Sequence, residues 1–312
     1  MAKGKKKKAK KKDVEEVEKN AATLNRILKL YEHYSSEQRG VTCPDVVKHF
    51  RTQIDEGESL QKTFVRPFVQ SIIDTELSTL KEFSVWGLCM NLLDCVELGR
   101  YLKLPMITIQ SLYLRDCAIQ PDSLEKLSPF GDDGCIALCL NLIHNRTITS
   151  LSLTYCDISA LCGQYLSRLL LNTAISEIYL DGNQLGCQGA LALIKDLLHD
   201  CEKFTIEKLD KLRIDEEMKA QEEKKKKKSD EPPPVGPFVS KIHLFDNEID
   251  HLQRDGLIKI REVIEAYARL IEISEELEEL DLDENVIGNV CGNMILEALK
   301  NRKKRQQSNT VR

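Results

Sequence analysis

The chain has 312 residues, of which 42% are hydrophobic and 30% charged, and its net charge at pH 7 is −5. This length allows one large domain with a buried core, or one domain with a smaller attached segment. No run of 18 apolar residues occurs, so the composition excludes a membrane-spanning helix from the predicted elements.

The charge is distributed unevenly along the chain. Residues 1–12 carry eight lysines and no acid, a charge of +8, which leaves −13 for residues 13–312. The first twelve residues have nothing to bury, and we expect a disordered lysine-rich tail. The sequence therefore describes a basic tail on an acidic body.

The lysine-rich tail lacks the apolar stretch of a secretory signal. Together with the odd number of cysteines, eleven, this predicts reduced thiols and a cytoplasmic location. The tail suits polyanions such as nucleic acid, lipid headgroups or the acidic tails of tubulin, and a solubilising role is the alternative. No aromatic residue lies between the lysines to stack on bases, so nucleic acid is disfavoured. The lysines predicted to contact a polyanion are Lys5, Lys6, Lys7, Lys8, Lys10, Lys11 and Lys12.

Residues 13–82 are predicted to form a helical N-terminal segment. Apolar residues recur there at steps of three and four, the spacing of one helix face. The first helix is carried by Val14, Val17, Ala21, Leu24, Ile27, Leu28 and Tyr31. Pro44 and Pro67 divide the later part of the segment.

An apolar pattern then recurs five times, beginning at residues 109, 148, 175, 239 and 277. In each copy, apolar residues at positions one, four and six precede a Cys or Asn at position nine and an apolar residue at position eleven. The copies are Ile109, Leu112, Leu114, Cys117 and Ile119; Ile148, Leu151, Leu153, Cys156 and Ile158; Ile175, Ile178, Leu180, Asn183 and Leu185; Val239, Ile242, Leu244, Asn247 and Ile249; and Leu277, Leu280, Leu282, Asn285 and Ile287.

This spacing is that of a leucine-rich repeat. The alternating pair, such as Ile178 and Leu180, directs one face of a short strand inward. The Asn or Cys bonds the turn that follows, and several units must stack to close a core. A sixth, weaker copy begins at Phe83, with Trp86, Leu88, Asn91 and Leu93 in the corresponding places.

A helical stripe follows the strands, as in Leu193, Ile194, Leu197 and Leu198. A full helix in each repeat, with glycines near its start, resembles the leucine-rich repeats of the ribonuclease-inhibitor type. The resemblance covers residues 83–300. The predicted fold class is therefore α/β. It is a leucine-rich-repeat solenoid with short parallel strands on the concave face, helices on the convex face and a helical lead-in.

The repeat lengths depart from the usual period. The steps between copies are 39, 27, 64 and 38 residues, and only 27 is typical. The step of 64 contains a charged, proline-containing stretch at about 216–237, which we predict to be a disordered insertion. Residues 202–223, which precede and overlap its start, are predicted to extend the preceding helix, and a degenerate repeat within this step of 64 residues is left open. Residues 301–312 form a basic C-terminal tail.

No pattern of catalytic or cofactor-binding residues is found. The six histidines lack metal-ligand spacing, and neither a phosphate-binding loop nor a nucleophile elbow occurs. Cys135 and Cys139 are predicted to be small core residues on a helix. We therefore expect no catalytic residue, cofactor or metal, and a non-enzymatic protein with no small-molecule substrate.

The residues that flank the strand leucines are the candidate site, because they face outward on the concave surface. Aromatic residues lie among polar ones near the middle, and the C-terminal end is acidic. An acidic end can attract a basic partner segment or can be a solvated edge repeat. The predicted partner-binding residues are Tyr113, Arg115, Ser152, Glu177, Tyr179, Asp181, Lys241, His243, Phe245, Glu279, Asp281 and Asp283.

The combination of these repeats with Lys/Glu-rich insertions and a basic tail resembles the leucine-rich-repeat proteins of cilia and flagella. That resemblance implies an interaction scaffold docked on the axoneme, near tubulin. One alternative is a regulatory adaptor, since Ran GTPase-activating proteins share the repeat class, although Asn183, Asn247 and Asn285 occupy structural positions here. Another is an actin-end regulator like tropomodulin, which residues 13–80 disfavour because they hold no tropomyosin-binding helix of the needed length.

Overall fold

A computed structural model of the chain contains a six-stranded parallel sheet in its described residues. The strands lie side by side in the order in which they occur along the chain. The strands are β1 Glu82–Trp86, β2 Ser111–Arg115, β3 Ser150–Ser152, β4 Glu177–Tyr179, β5 Lys241–His243 and β6 Glu279–Asp281. The described residues are 25–36, 47–48, 65–75, 80–86, 90, 92–104, 107–117, 130–218, 238–250 and 256–310.

Helices connect the strands and cover one side of the sheet. They are α1 at residues 25–36, α2 Val65–Thr75, α3 Leu92–Leu102, α4 Gly131–Leu142, α5 Gly163–Asn172, α6 Gly186–Met218, α7 Gly256–Ile273 and α8 Gly288–Thr310. Each of the helices α3 to α7 packs against the next one along the chain. Parallel strands with helical returns form the predicted leucine-rich-repeat solenoid.

The alternating strand residues divide between core and surface as predicted. Ile178 and Leu180 are fully buried, whereas Tyr179 between them is partly exposed. Burial of each such leucine or isoleucine contributes about 1.5–3 kcal/mol relative to an exposed side chain. In the last repeat Leu280 and Leu282 are only partly buried, because no further described strand covers them.

Asparagine side chains link neighbouring repeats through their backbones. Asn183 Oδ1 accepts hydrogen bonds from the N–H groups of Cys156 at 3.0 Å and Ile158 at 3.1 Å. Its Nδ2 donates to the carbonyls of Leu153 at 2.8 Å and Leu180 at 2.7 Å. The predicted role of this repeat position, bonding the turn and stacking on a neighbouring repeat, is confirmed.

The sixth repeat exists, but the predicted register is wrong by three residues. Strand β1 pairs Phe83 with Leu112 and Val85 with Leu114, so Phe83 occupies the fourth repeat position and not the first. Trp86, predicted as a core residue, is 60% exposed. The sequence pattern leads to the wrong register because Phe83 and Val85 replace the two strand leucines of this copy.

Some of the extra residues in the long repeats lie in longer helices. Helix α7 has 18 residues where α5 has 10, and α6 continues for 33 residues. The predicted helical extension beyond residue 202 is confirmed to Met218, and residues 219–237 of the insertion lie outside the described part. Strand β4 pairs directly with β5, so no degenerate repeat adds a strand between them.

The helical segment before the repeats covers the first strand. Phe68 on α2 packs against Phe83 on β1 with ring centroids 6.1 Å apart, and α2 also packs on α3. Tyr34 on α1 donates a hydrogen bond to Asp74 on α2. These contacts close the N-terminal end of the core, which a solenoid requires.

Burial keeps the thiols of Cys95 and Cys201 protonated. Nine free cysteines lie in the described part, and Cys135 and Cys139 are buried in the core as predicted. Burial raises the pKa of Cys95 to about 12 and that of Cys201 to about 11.

Within the described residues, no helix combines the length and the apolar character needed to cross a bilayer.

Candidate functional site

The outward-facing strand residues line up in three rows across the sheet, because the strands pair in register. The first row is Glu82, Ser111, Ser150, Glu177, Lys241 and Glu279. The second row is Ser84, Tyr113, Ser152, Tyr179, His243 and Asp281. The third row begins with Trp86 and Arg115, and the same two-residue offset continues it with Thr154, Asp181, Phe245 and Asp283.

All twelve residues predicted to bind a partner lie in these three rows, so the fold brings them onto one concave face. The lysines predicted to contact a polyanion lie outside the described residues. Sequence reasoning missed Glu82, Ser84 and Trp86, because their repeat was read in the wrong register. It also missed Tyr155, which borders the same face from the turn after β3.

Strands β4 to β6 carry a network of opposite charges. Lys241 Nζ lies 3.9 Å from Glu177 Oε1 and 3.4 Å from Glu279 Oε2. The hydrogen bond with Glu279 raises the pKa of Lys241. The lysine thus links the carboxylates of the two repeats on either side of its own. Solvent weakens such partly exposed ion pairs.

His243 lies between Glu279, which it shares with Lys241, and one further carboxylate, Asp281. Its Nε2 is 3.3 Å from Glu279 Oε1, and its Nδ1 is 3.7 Å from Asp281 Oδ2. The Nε2 contact has ion-pair distance but not the angles of a hydrogen bond. The contact between His243 Nε2 and Glu279 Oε1 is therefore electrostatic, since a hydrogen bond weakens steeply when the donor–hydrogen–acceptor angle is poor.

Aromatic rings are fixed among these charges. The rings of Tyr179 and His243 lie 4.7 Å apart at an angle of 52°, and the Tyr179 hydroxyl donates to Glu177 Oε2 at 3.4 Å. Burial, and then the charge of Glu177, raise the pKa of Tyr179, so its hydroxyl stays protonated as a donor. On β2, the Arg115 guanidinium lies 4.7 Å from the centroid of the Tyr113 ring.

A depression of about 350 Å³ opens between the second and third rows. Its walls combine acidic, aromatic and small hydroxyl side chains with one arginine. The lining residues are Arg115, Ser152, Thr154, Tyr155, Tyr179, Asp181, Phe245 and Asp281. Concave sites with a few placed polar groups are typical of ligand pockets.

Two serines on the concave face are buried among larger neighbours. Ser152 is 1% exposed and Ser150 is 5% exposed, because Tyr113 and Tyr179 flank Ser152 in the second row. Neither hydroxyl has a hydrogen-bond partner in the described part of the chain. Buried hydroxyls without partners are uncommon and carry a desolvation cost.

The described residues contain no group of three or more His, Cys, Asp or Glu side chains placed to hold a metal ion. The carboxylates of the concave face instead pair with Lys241 and His243 or face solvent. The arrangement is suited to contacts with another molecule over several repeats.

Comparison with known proteins gives one family match and several similar structures. The family model described as Leucine Rich repeat matches residues 144–166, which contain β3 and the start of α5. Actin-binding site 2 of leiomodin-1 is 10% identical, with a TM-score of 0.40 over 70% of this chain and 92% of that one. The tropomodulin C-terminal domain from Caenorhabditis elegans is 11% identical, with a TM-score of 0.41 over 71% of this chain and 99% of that one. No curated protein matches the chain significantly.

The family match shows a leucine-rich repeat at residues 144–166. The fold of the described residues is that of a leucine-rich-repeat solenoid. The match lies on the repeat that contains Cys156, and the strand register extends the same unit to the repeats on both sides. The statement concerns the fold, and the function must be argued from the surface.

Proposed function

We propose that this leucine-rich-repeat chain is a non-enzymatic scaffold that binds a protein partner on its concave face. The observation that carries the proposal is the second row, where Tyr113, Tyr179 and His243 lie in register on a rigid sheet. Tyrosine gives large contact area with few rotatable bonds, and it is enriched among residues that dominate binding energy. Ion pairs link Lys241 to carboxylates of the two flanking repeats, so charged groups surround these rings.

Within this class, we propose a structural subunit of the ciliary or flagellar axoneme with repeats of the ribonuclease-inhibitor type. Support comes from the full helix in each repeat, the charged insertion after the long helix α6, and the lysine-rich tail, which suits the acidic tails of tubulin. The alternative is a regulatory adaptor of a GTPase or a cytoskeletal protein in the cytosol or nucleus. The two differ in location and in neighbouring proteins.

We predict that Tyr179→Ala removes partner binding and leaves the protein folded. The ring lies at the centre of the rows and touches His243, so its loss should weaken binding by about 2 kcal/mol, the level of a binding hot spot. The measurement is proximity labelling in a ciliated cell, with the tagged wild-type and variant chains imaged in the same cells. Labelled axonemal proteins and a signal along the cilium support the axonemal proposal.

The matched control is Ile258→Ala, which removes a side chain that is 74% exposed on α7, away from the concave face. We expect this variant to label the same neighbours as the wild type. A diffuse cytosolic or nuclear signal without axonemal neighbours would reject the axonemal role and favour the adaptor. Equal labelling by wild type and Tyr179→Ala would reject the concave face as the binding surface.

A further inference from the structure

We propose that the depression between the second and third rows binds one arginine side chain from an extended basic segment of the partner. This inference rests on the proposed function and adds the chemical class of the partner. The depression has a volume of about 350 Å³, enough for a side chain and too small for a folded element. Two carboxylates, three aromatic rings and a buried hydroxyl line it.

The buried hydroxyl of Ser152 is the first observation that supports a ligand in the depression. Its side chain is 1% exposed, lines the depression, and has no hydrogen-bond partner among the described residues. A hydroxyl oxygen accepts hydrogen bonds, and a guanidinium group donates up to five of them in a planar fork. An arginine in the depression would therefore satisfy a group that the free protein leaves unpaired.

Asp181 is one of the two carboxylates that line the depression, and it differs from Asp281 in having no ion pair among the described residues. Its Oδ1 accepts a hydrogen bond from the Phe245 N–H at 3.1 Å, but no ion pair involves it in the described part of the chain. Burial raises its pKa, while the charge of His243 acts in the opposite direction. By contrast, Glu279 already contacts both Lys241 and His243.

Tyr155 forms a wall of the depression at a position where other repeats carry smaller side chains. Its backbone is left-handed, with φ of 53°, and it is 51% exposed. The same backbone position holds Asp116, Gly182, Asp246 and Glu284 in four of the other repeats. A tyrosine in this conformation costs about 1–3 kcal/mol, and such strain is concentrated at binding sites.

Gly182 makes room for the Tyr155 ring. A Cβ atom at Gly182 would lie 2.1 Å from the ring, at Cε1, so only glycine allows the ring to pack there. The ring therefore packs over the next repeat, although Tyr155 remains 51% exposed. Flat aromatic faces of this kind stack on guanidinium groups, which are weakly hydrated.

The charge of the face favours a cation over an anion. The three rows on strands β4 to β6 hold five carboxylates against one lysine, with His243 between two of the acids. The carboxylates are Glu177, Asp181, Glu279, Asp281 and Asp283. Arg115 also lines the depression, but its guanidinium packs on the Tyr113 ring, so the electrostatic complement of the face is a basic segment.

The test uses the purified full-length chain and a fluorescein-labelled peptide in which three arginines alternate with serines. Binding is followed by fluorescence polarisation at low salt. The comparison peptide carries citrulline in place of each arginine, which keeps the planar shape but removes the charge and replaces two of the five N–H donors with a carbonyl oxygen. We expect the citrulline peptide to bind about tenfold or more weakly, the scale of a desolvated charge pair.

Two variants locate the site. Asp181→Asn keeps the oxygen that accepts from the Phe245 N–H and removes the charge, and Tyr155→Asn removes the ring while retaining a residue tolerant of left-handed backbone. Each should weaken arginine-peptide binding about fivefold to tenfold, consistent with the loss of a hydrogen bond to a charged group or of a cation–π contact. Glu262→Gln on the exposed face of α7 removes the same charge elsewhere and should change nothing.

Equal binding of the citrulline peptide, or equal weakening by Glu262→Gln and Asp181→Asn, would overturn the arginine site. So would the absence of detectable binding of the arginine peptide to the wild-type chain. These outcomes are distinct from failure of the scaffold proposal. If Tyr179→Ala abolishes partner labelling in cells while the peptide test fails, only the arginine site is rejected.

Discussion

Leu180→Asp is expected to unfold the solenoid. Leu180 is fully buried between the sheet and the helices, and its backbone N–H bonds the His243 carbonyl of the next repeat at 2.9 Å. An aspartate there loses the apolar contacts and places an unpaired carboxylate in the core. We expect a loss of about 4–5 kcal/mol or more, which is comparable to the whole stability of many domains.

The measurement is far-ultraviolet circular dichroism with a urea titration of the purified variant. Tyr179→Ala is the matched control, because Tyr179 is the adjacent residue on the same strand and faces the concave surface. We expect its free energy of unfolding to fall by no more than about 1 kcal/mol. A folded Leu180→Asp protein together with an unfolded Tyr179→Ala protein would mean that the strand faces are exchanged.

The spacing of the leucines in the sequence is sufficient to predict these two strand faces. Because side chains alternate along a strand, a shift of one residue would bury Tyr179 and expose Ile178 and Leu180, so the pattern allows one register. The same reasoning places all twelve candidate residues on one surface. Five copies that share a polar or thiol residue at the turn support that register independently.

The first repeat shows where this reasoning fails. Phe83 and Val85 replace the strand leucines, and Leu88 falls where later repeats carry Cys or Asn, so the chain also fits the pattern three residues further on. Packing decides the register: Phe83 and Val85 are buried, and Trp86 is exposed. Without the asparagine or cysteine, no local interaction identifies the turn in the sequence.

The depression could not be predicted from the sequence, because it depends on backbone conformation and on neighbours distant in the chain. Tyr155 borders it only because the turn after β3 is left-handed and because residue 182 is glycine. Ser152 is buried only because tyrosines flank it on the adjacent strands. Periodicity describes which face a residue occupies, but it does not describe the shape of that face.

Asn183→Ala is expected to be the most destabilising change of a polar residue among the repeats. Asn183 is 3% exposed, and its amide bonds five backbone groups in two repeats. Alanine leaves these N–H and C=O groups buried without partners, at about 1–3 kcal/mol for each group that water cannot reach. We expect a total loss of at least ~3 kcal/mol, measured by urea titration.

The chain supplies two controls for this prediction. Asn285 makes the same five bonds in the last repeat. It is more exposed, so water can replace its amide and Asn285→Ala should cost about 1–2 kcal/mol. Asn183→Cys should fall between Ala and wild type, because Cys156 fills this position one repeat earlier and its Sγ donates to the Leu114 carbonyl at 3.3 Å. Equal losses for Asn183→Ala and Asn285→Ala would show that burial does not set the strength of the ladder, and that each asparagine acts only within its own turn.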